Sequence, residues 1–301
     1  MLRKQTIRRR RSKPVNPRIF QQRVVLLLCI IMSAIALILT QDLRQPVPVP
    51  EDGEVRVHFI DVGQGDSILV QSADHAVLID AGIPAAGQTV AAYLDFLGIS
   101  VLDYVVATHP HNDHIGGMPV ILDRFEVREL WMPDTTHDTA AFENFLDAIH
   151  RNDLEITTVQ AGDILSAGLI HMVAVAPSRS GYANRNDYSI VLHMQYGDTS
   201  FLFTGDAEAL SENEMMASGR RLQADVLKVG HHGSRTSTTD SFLDAVNPFA
   251  VVITVSADNQ FGHPHQDILN RLADRNIRVL RTDEMGTIVM VTDGLEIYLY
   301  E

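Results

Sequence analysis

Three histidines and one aspartate that can bind metal ions lie close together in the segment THPHNDHIGG, residues 108–117. Their positions are His109, His111, Asp113 and His114. Imidazole and carboxylate groups together suit borderline divalent ions. The chain has 13 histidines among 301 residues, so three in so short a window are not explained by composition. The residues predict a site for a divalent ion, with Zn²⁺ as the first candidate and Mn²⁺ as the second.

The sequence gives little evidence for a cysteine or serine nucleophile. Cys29 is the only cysteine, and it lies in an apolar run, so a thiol nucleophile or a cysteine-based zinc site is not expected. No Gly-x-Ser-x-Gly element of a serine hydrolase occurs. A divalent ion at this site could itself supply the nucleophile, because such ions lower the pKa of bound water to about 7. Asp113 is a candidate proton acceptor.

The elements that must position these side chains alternate between strands and helices. The buried run at 103–107 leads into His109, so a strand end should deliver the histidines to one edge. Further strands are expected at 55–60, 67–71, 76–80, 190–195, 200–203, 225–229, 250–255, 277–281, 287–291 and 295–300, and helices at 88–97, 142–150, 239–246 and 266–275. This mixture predicts an α/β fold, an αββα sandwich of two mixed β-sheets flanked by helices, in one domain over residues 53–301.

The first 52 residues are predicted to lie outside that domain. Residues 1–23 carry nine basic side chains and no acidic one, and an apolar run follows. We expect a basic cytoplasmic segment at 1–23, an uncleaved signal anchor at 24–40 and a proline-rich linker at 41–52. The protein would then be single-pass in the cell membrane, with the domain of residues 53–301 on the extracytoplasmic side. The alternative is secretion after cleavage of a signal peptide.

Charge is distributed unevenly along the chain. The formal net charge is −14 although the amino-terminal segment is strongly basic, so the remainder is more acidic than the total suggests. Such a body repels phosphate backbones at long range, and binding of duplex DNA is therefore not expected. A metal ion can override that field within a cleft. The candidates for additional local positive charge are Lys228, Arg235, Arg179 and Arg185.

The order of these motifs resembles the metallo-β-lactamase fold superfamily of metal-dependent hydrolases. The resemblance is carried by LIDAG at 78–82, the histidine segment, FTGD at 203–206 and LKVGHHGS at 227–234. By the family's pattern the first two histidines of the segment hold one metal, and Asp113 and His114 hold the other. The pattern also implies that Asp206 bridges both metals and that His231 is a further ligand. Asp80 would support a ligand imidazole from behind.

A narrower resemblance is to the ComEC-type competence hydrolase domain. FIDVGQGDS at 59–67, NDYS at 186–189 and FGHPH at 261–265 add to the motifs above. In that family the domain is attached to a transport channel and is thought to degrade the DNA strand that is not transported. The present chain has one apolar run, so DNA uptake is not expected as its own activity. The resemblance therefore implies the hydrolase site rather than the channel.

Several side chains and functions remain open at this point. His232 and His263 are assigned with Asp113 to the catalytic set, and Asp187, Lys228 and His265 are expected to support the site. Many superfamily members have a further ligand in a Gly-His-x-x-Gly setting, which none of the intervening histidines shares: His137, His150, His171 and His193. A phosphodiester, either a small molecule or a single-stranded nucleic acid, is the first substrate implied. The alternatives are a lactonase or β-lactamase-like hydrolase and a non-catalytic, membrane-anchored binding module. No protein partner is predicted.

Overall fold

Two β-sheets pack face to face in the computed structural model, which describes residues 49–300. The predicted basic segment, the predicted signal anchor and residues 41–48 of the predicted linker lie outside the described residues. Across residues 49–300, no helix combines the length and apolarity needed to cross a membrane.

The first sheet has eight strands and contains both ends of the described domain. Its members are β1 (Val55–Phe59), β2 (Ile68–Gln71), β3 (Ala76–Ile79), β4 (Val101–Val106), β5 (Glu126–Met132), β6 (Ile156–Thr158), β14 (Ile288–Thr292) and β15 (Ile297–Leu299). The spatial order is β15-β14-β1-β2-β3-β4-β5-β6. Strands β3 to β6 are parallel, and β1 is antiparallel to both β2 and β14.

The second sheet has seven strands and is also mixed. Its members are β7 (Ile164–Ala167), β8 (Ile170–Ala176), β9 (Val191–Tyr196), β10 (Thr199–Phe203), β11 (Val226–Lys228), β12 (Ala250–Ile253) and β13 (Arg278–Arg281). The order is β13-β12-β11-β10-β9-β8-β7. Strands β10 to β13 are parallel, whereas β7 to β10 form antiparallel hairpins.

Helices connect the parallel strands within both sheets, and the last helix links β13 of the second sheet to β14 of the first. They are α1 (Gly87–Phe96), α2 (Asn112–Ile115), α3 (Met118–Arg124), α4 (Ala140–Arg151), α5 (Ala209–Ala217), α6 (Asp240–Val246), α7 (Gln266–Asp274) and α8 (Thr282–Met285). Threonine hydroxyls accept hydrogen bonds from backbone N–H groups at the starts of α4 and α6. These caps satisfy donors that have no partner inside the helix.

The alternation of side chains along β10 shows how the layers are held together. Phe201 and Phe203 belong to the core between the two sheets, and the ring of Phe203 lies 6.3 Å from that of Phe59 across that core. Leu202, between them in sequence, belongs to a separate apolar layer with Phe242 of α6. Successive side chains of a strand point to opposite faces, so one strand serves both layers. The predicted αββα sandwich of two mixed sheets is confirmed.

Candidate metal centre

The carboxyl ends of parallel strands from both sheets converge at one edge of the sandwich. In the first sheet, Asp80 directly follows β3 and His109 lies in the loop that follows β4. In the second sheet, Asp206 follows β10 and His232 follows β11. Parallel neighbours end on the same side of a sheet, so side chains far apart in sequence reach one place.

The histidine segment is held against the first sheet by backbone contacts. The N–H of Ala81 donates to the carbonyl of His114 at 2.8 Å, and the N–H of Gly117 donates to the carbonyl of Gly82 at 2.9 Å. A Cβ atom at position 117 would lie 2.1 Å from the carbonyl oxygen of Ala81. Only glycine permits this approach, so the Gly-Gly pair that ends the motif has a steric cause.

A first group of converging ligand atoms comes from His109, His111 and Asp206. The Nε2 atom of His109 lies 3.0 Å from Nδ1 of His111 and 3.7 Å from Oδ2 of Asp206. His109 is fully buried, and burial, followed by the charge of His114, lowers its pKa well below the usual value. Burial is also the main cause that lowers the pKa of His111. Both imidazoles are therefore neutral at physiological pH, which is the form that binds metal.

A second group comes from Asp113, His114, Asp206 and His232. Nε2 of His114 lies 3.2 Å from Oδ2 of Asp206, and Nε2 of His232 lies 3.5 Å from Oδ1 of the same carboxylate. His232 Nε2 is also 3.4 Å from Oδ2 of Asp113. Asp206 belongs to both groups and offers each of them an oxygen.

Unpartnered polar atoms in the second group fit a divalent cation. Nε2 of His114, Nε2 of His232 and Oδ1 of Asp206 are buried, and none has a hydrogen-bond partner among the described residues. An unsatisfied buried polar atom costs about 1–3 kcal/mol, so three at one point require an explanation. Neutral imidazole nitrogens and carboxylate oxygens are ligands that zinc and manganese accept. The residues present therefore fit one or two divalent ions.

The electrostatics of the cluster lead to the same conclusion. Burial by itself lowers the pKa of His114, but the carboxylates of Asp206 and Asp80 outweigh burial and raise that pKa well above its usual value. Burial raises the pKa of Asp206, but His114, His232 and His231 together bring it well below the usual value. The pocket thus stabilises positive charge at its centre, which a divalent ion provides more fully than a protonated histidine.

Asp80 orients His114 from the side opposite the cluster. Nδ1 of His114 donates to Oδ2 of Asp80 at 2.7 Å, which leaves Nε2 directed towards Asp206. Asp80 also accepts hydrogen bonds from the backbone N–H of Thr108 at 2.9 Å and from its hydroxyl at 2.6 Å. An imidazole held in this way presents a fixed nitrogen to a metal.

A buried ion pair supports the cluster from the second sheet. Nζ of Lys228 lies 2.5 Å from Oδ2 of Asp66 and 3.9 Å from Oδ1 of Asp206, and it donates to the carbonyl of Gly205 at 2.9 Å. Asp66 also accepts from the hydroxyl of Thr254 at 2.5 Å. Lys228 is fully buried, so it acts from behind the ligands and offers no charge at the surface of the cleft.

The two adjacent histidines after β11 differ in their surroundings. Strand β11 ends at Lys228, and both His231 and His232 have left-handed backbone angles, with φ of 49° and 53°. The two side chains therefore do not alternate as neighbours on a strand would. His232 is buried and donates from Nδ1 to the carbonyl of Thr254 at 2.9 Å, so its Nε2 faces the second group.

His231 is oriented by a different set of residues. Its Nδ1 contacts Oε1 of Glu208 at 3.1 Å, and its Nε2 lies 3.7 Å from Oδ2 of Asp206. The side chain is 25% exposed, and the residue is absent from both ligand groups among residues 49–300. The geometry favours His232 over His231 as the ligand of the second group.

The remaining predicted site residues lie at greater distance. The ring of His263 is 5.5 Å from that of His231, and His265 is a further 4.9 Å from His263. Asp187 belongs to neither ligand group, and its Oδ1 accepts from the N–H of Ser211 in α5 at 3.4 Å. Its neighbour Asn186 approaches instead, with Nδ2 at 3.3 Å from Nδ1 of His231.

Four contributors to the site were not predicted from the sequence. Asp66 supports the cluster as described, and the hydroxyl of Ser189 accepts from the N–H of Asp206 at 3.0 Å. Glu208 holds His231, and the ring of His137 lies 5.5 Å from that of His111. Asp66 and Ser189 lie in the motifs FIDVGQGDS and NDYS, but the sequence of these motifs does not indicate the ion pair of the one or the hydrogen bond of the other to Asp206.

Comparisons with known proteins agree with this geometry. Residues 60–253 match the model of the metallo-beta-lactamase superfamily. ComE operon protein 3 of Bacillus subtilis is 35% identical over 254 residues, which are 78% of this chain and 33% of that protein. Competence protein ComA of Neisseria gonorrhoeae is 31% identical over 246 residues, and recombination protein 2 of Haemophilus influenzae is 30% identical over 281 residues. These alignments cover 81% and 91% of this chain and 33% of each relative. The chain thus spans about a third of the length of these relatives.

Solved structures show the same fold at low sequence identity. The metallo-beta-lactamase fold protein YhfI from Bacillus subtilis superposes with a TM-score of 0.54 and 16% identity, over 79% of this chain and 99% of that one. CmlA, a diiron beta-hydroxylase from Streptomyces venezuelae, superposes with a TM-score of 0.52 and 15% identity, over 79% of this chain and 53% of that one. At this level of identity the likeness concerns the fold alone.

Proposed function

Because the chain belongs to the metallo-β-lactamase superfamily of metal-dependent hydrolases, we propose that it hydrolyses phosphodiester bonds in single-stranded nucleic acid or in small molecules. The identity of 30–35% to proteins named for competence and recombination supports a nucleic-acid substrate. The resemblance of the motifs to the ComEC-type hydrolase domain supports it as well.

The observation that carries the proposal is the position of two ligand groups that share Asp206 beside further imidazoles. His231 lies 3.7 Å from Asp206 without belonging to either group, and the ring of His263 meets that of His231 edge to face at 5.5 Å. A phosphodiester carries a full negative charge and gains more in the transition state, so cations and N–H donors on one side of a cleft stabilise it. A β-lactam carbonyl develops a single oxyanion and makes less use of such a cluster.

We propose a definite role for each part of the site. His109, His111 and Asp206 would hold one ion, and the second ligand group would hold the other. When bound, the ions supply a water of lowered pKa and positive charge towards the substrate. Asp80 and the carbonyl of Thr254 fix the ligand imidazoles, and Glu208 fixes His231 where it can donate to a substrate oxygen. Asp113 and His232 thus act as ligands.

A substrate panel tests this function. The full chain, loaded separately with Zn²⁺ and Mn²⁺, is assayed on bis-p-nitrophenyl phosphate, a single-stranded oligonucleotide and nitrocefin. We expect kcat/KM to be highest for the diesters and to fall by at least about 100-fold in His111→Ala. His171→Ala, which alters an exposed histidine of β8, is the matched control and should behave as the unaltered protein. Turnover of nitrocefin without diester cleavage under either metal would contradict the proposal.

A further inference from the structure

An exposed aromatic ring lies at the outer end of a series of rings that leads to the metal centre, and it does not belong to the core. Phe261 is 53% exposed, and it follows β12 at the end of the strand nearest to the site. Its ring stacks on that of His263, with centroids 5.6 Å apart and planes inclined by 26°. Phe249, at the other end of β12, is exposed to the same extent, so what distinguishes Phe261 is its contact with His263 rather than its exposure.

A continuous series of rings connects Phe261 with the ligand cluster. The ring of His263 lies 5.5 Å from that of His231, whose Nε2 is 3.7 Å from Asp206. Nδ1 of His263 is buried without a hydrogen-bond partner among the described residues. Only the ring of His263 therefore lies between Phe261 and His231, the histidine that is next to the carboxylate of Asp206.

The loop that carries these rings is held in place by one asparagine. Nδ2 of Asn259 donates to the carbonyls of Ser256 and His263 at 2.7 and 2.6 Å. Its Oδ1 accepts from the N–H groups of Phe261 and His263 at 3.1 and 2.9 Å. Four hydrogen bonds from one side chain fix the loop, so the exposed ring is presented in a set position before any ligand arrives.

An arginine adds positive charge next to this loop. The N–H of Arg235 donates to Nδ1 of His265 at 3.2 Å, which ties the turn after His232 to the loop. The Arg235 side chain is exposed, and no hydrogen bond or ion pair engages its guanidinium within the part of the chain that the structure describes. Rings that present a flat face beside a cationic group are the combination with which proteins bind single-stranded nucleic acids.

We infer that Phe261, stacked on His263, is a platform for an unpaired base of a single-stranded nucleic acid whose backbone lies across the metal centre. This inference rests on the proposed phosphodiesterase function and assigns a base-binding subsite to it. Stacking uses the face that every base has, so the platform favours unpaired over duplex substrate and discriminates little between sequences.

Binding measurements test the platform independently of turnover. The probe is a short phosphorothioate thymidine oligonucleotide, compared with an abasic strand of the same length, and fluorescence anisotropy on the metal-loaded full chain gives both affinities. We expect the base-bearing strand to bind about 10-fold more tightly, and Phe261→Ala to remove that difference while Phe261→Trp keeps it. Phe249→Ala is the matched control, because Phe249 is 52% exposed and precedes β12 at the opposite end of the strand.

The outcomes separate the platform from the proposed reaction. Equal affinity of the unaltered protein for both strands, or equal losses for both strands in Phe261→Ala, would overturn the platform. A base preference that depends on Phe261 supports the platform even if the panel shows no diester hydrolysis, and in that case the proposed reaction alone fails. With unmodified oligonucleotide, Phe261→Ala should lower kcat/KM about 10-fold more for a base-bearing strand than for an abasic one.

Discussion

Nε2 of His232 lies 3.5 Å from Oδ1 of Asp206, and neither atom has a hydrogen-bond partner within residues 49–300. The adjacent His231 instead uses Nδ1 to contact Glu208. The buried imidazole of His232 therefore faces the ligand cluster, whereas the half-buried imidazole of His231 lies at its border.

His232→Ala should remove metal from the second ligand group, whereas His231→Ala should retain it. The first change deletes a nitrogen that faces Asp113 and Asp206, and the second deletes a side chain outside both groups. Metal content per chain, measured by mass spectrometry after dialysis, distinguishes the two variants. Metal loss in His231→Ala together with full occupancy in His232→Ala would reverse the assignment.

Asp80→Asn should weaken metal binding by about 10–100-fold while the fold survives. Asparagine tolerates the left-handed backbone of this position, where φ is 58°, but it weakens the acceptor that orients His114. Titration with a competing chelator measures the affinity. Asp61→Asn is the matched control, since Asp61 lies in an exposed turn and accepts only from the N–H of Gly63 at 3.1 Å. Equal affinity in both variants would argue against the positioning role.

Lys228→Met should destabilise the protein by about 3–5 kcal/mol, because it leaves the carboxylate of Asp66 buried without its partner. The double variant Lys228→Met, Asp66→Leu should recover part of that loss, since it removes both charges. Denaturant unfolding of the metal-free protein gives both values. A single variant within about 0.5 kcal/mol of the unaltered protein would show that the pair has no structural role.

His58 should make stability depend on pH in the acid range. Burial, followed by the charge of Arg56, lowers the pKa of His58 to about 3. In the unfolded chain the pKa of this histidine is about 6.5, so its contribution to the free energy of unfolding is complete above that pH. As the pH falls from 6.5 towards 3, the unfolded chain takes up a proton that the folded one does not, and stability is lost at up to about 1.4 kcal/mol per pH unit. His58→Gln should flatten the dependence of the unfolding free energy between these values, while the exposed His171→Gln should leave it unchanged. Identical slopes in all three proteins would contradict the assignment.

Residues 24–40 are proposed as an uncleaved signal anchor on the strength of the basic flank and the apolar run. Membrane fractions should then retain the full-length protein through a carbonate wash, and added protease should reach the hydrolase domain from the extracytoplasmic side. A soluble mature form that starts near Leu37 would disprove the anchor and favour secretion.

The fold and the histidine segment could be predicted because each has a local pattern. Apolar runs such as 76–80 and 250–255 mark buried parallel strands, and four ligand-capable residues within 109–114 are unmistakable. No strand is predicted between 156 and 176, where the structure has three. β6 is an exposed edge strand, and hydrophobic patterning cannot identify a strand that buries no face.

The site was less predictable where it depends on tertiary contacts. Which of two adjacent histidines faces the cluster is decided by a left-handed turn and by the carbonyl of Thr254, neither of which is visible in the sequence HHG. The sequence around Asp66 predicts a turn, yet in the structure Asp66 forms an ion pair with Lys228, which is far away along the chain. Such partners become known only once the two sheets have been packed together.

The pairing of β1 with β14 has a consequence for how the first sheet folds while the chain is being synthesised. Among the strands of residues 49–300, β1 leaves the ribosome first, but one of its two neighbours, β14, is the last but one to be synthesised. Until then one side of β1 exposes unpaired backbone groups, a state prone to wrong pairing. A chain stopped before Ile288 would contain every proposed metal ligand and still lack the strand that closes its first sheet on that side.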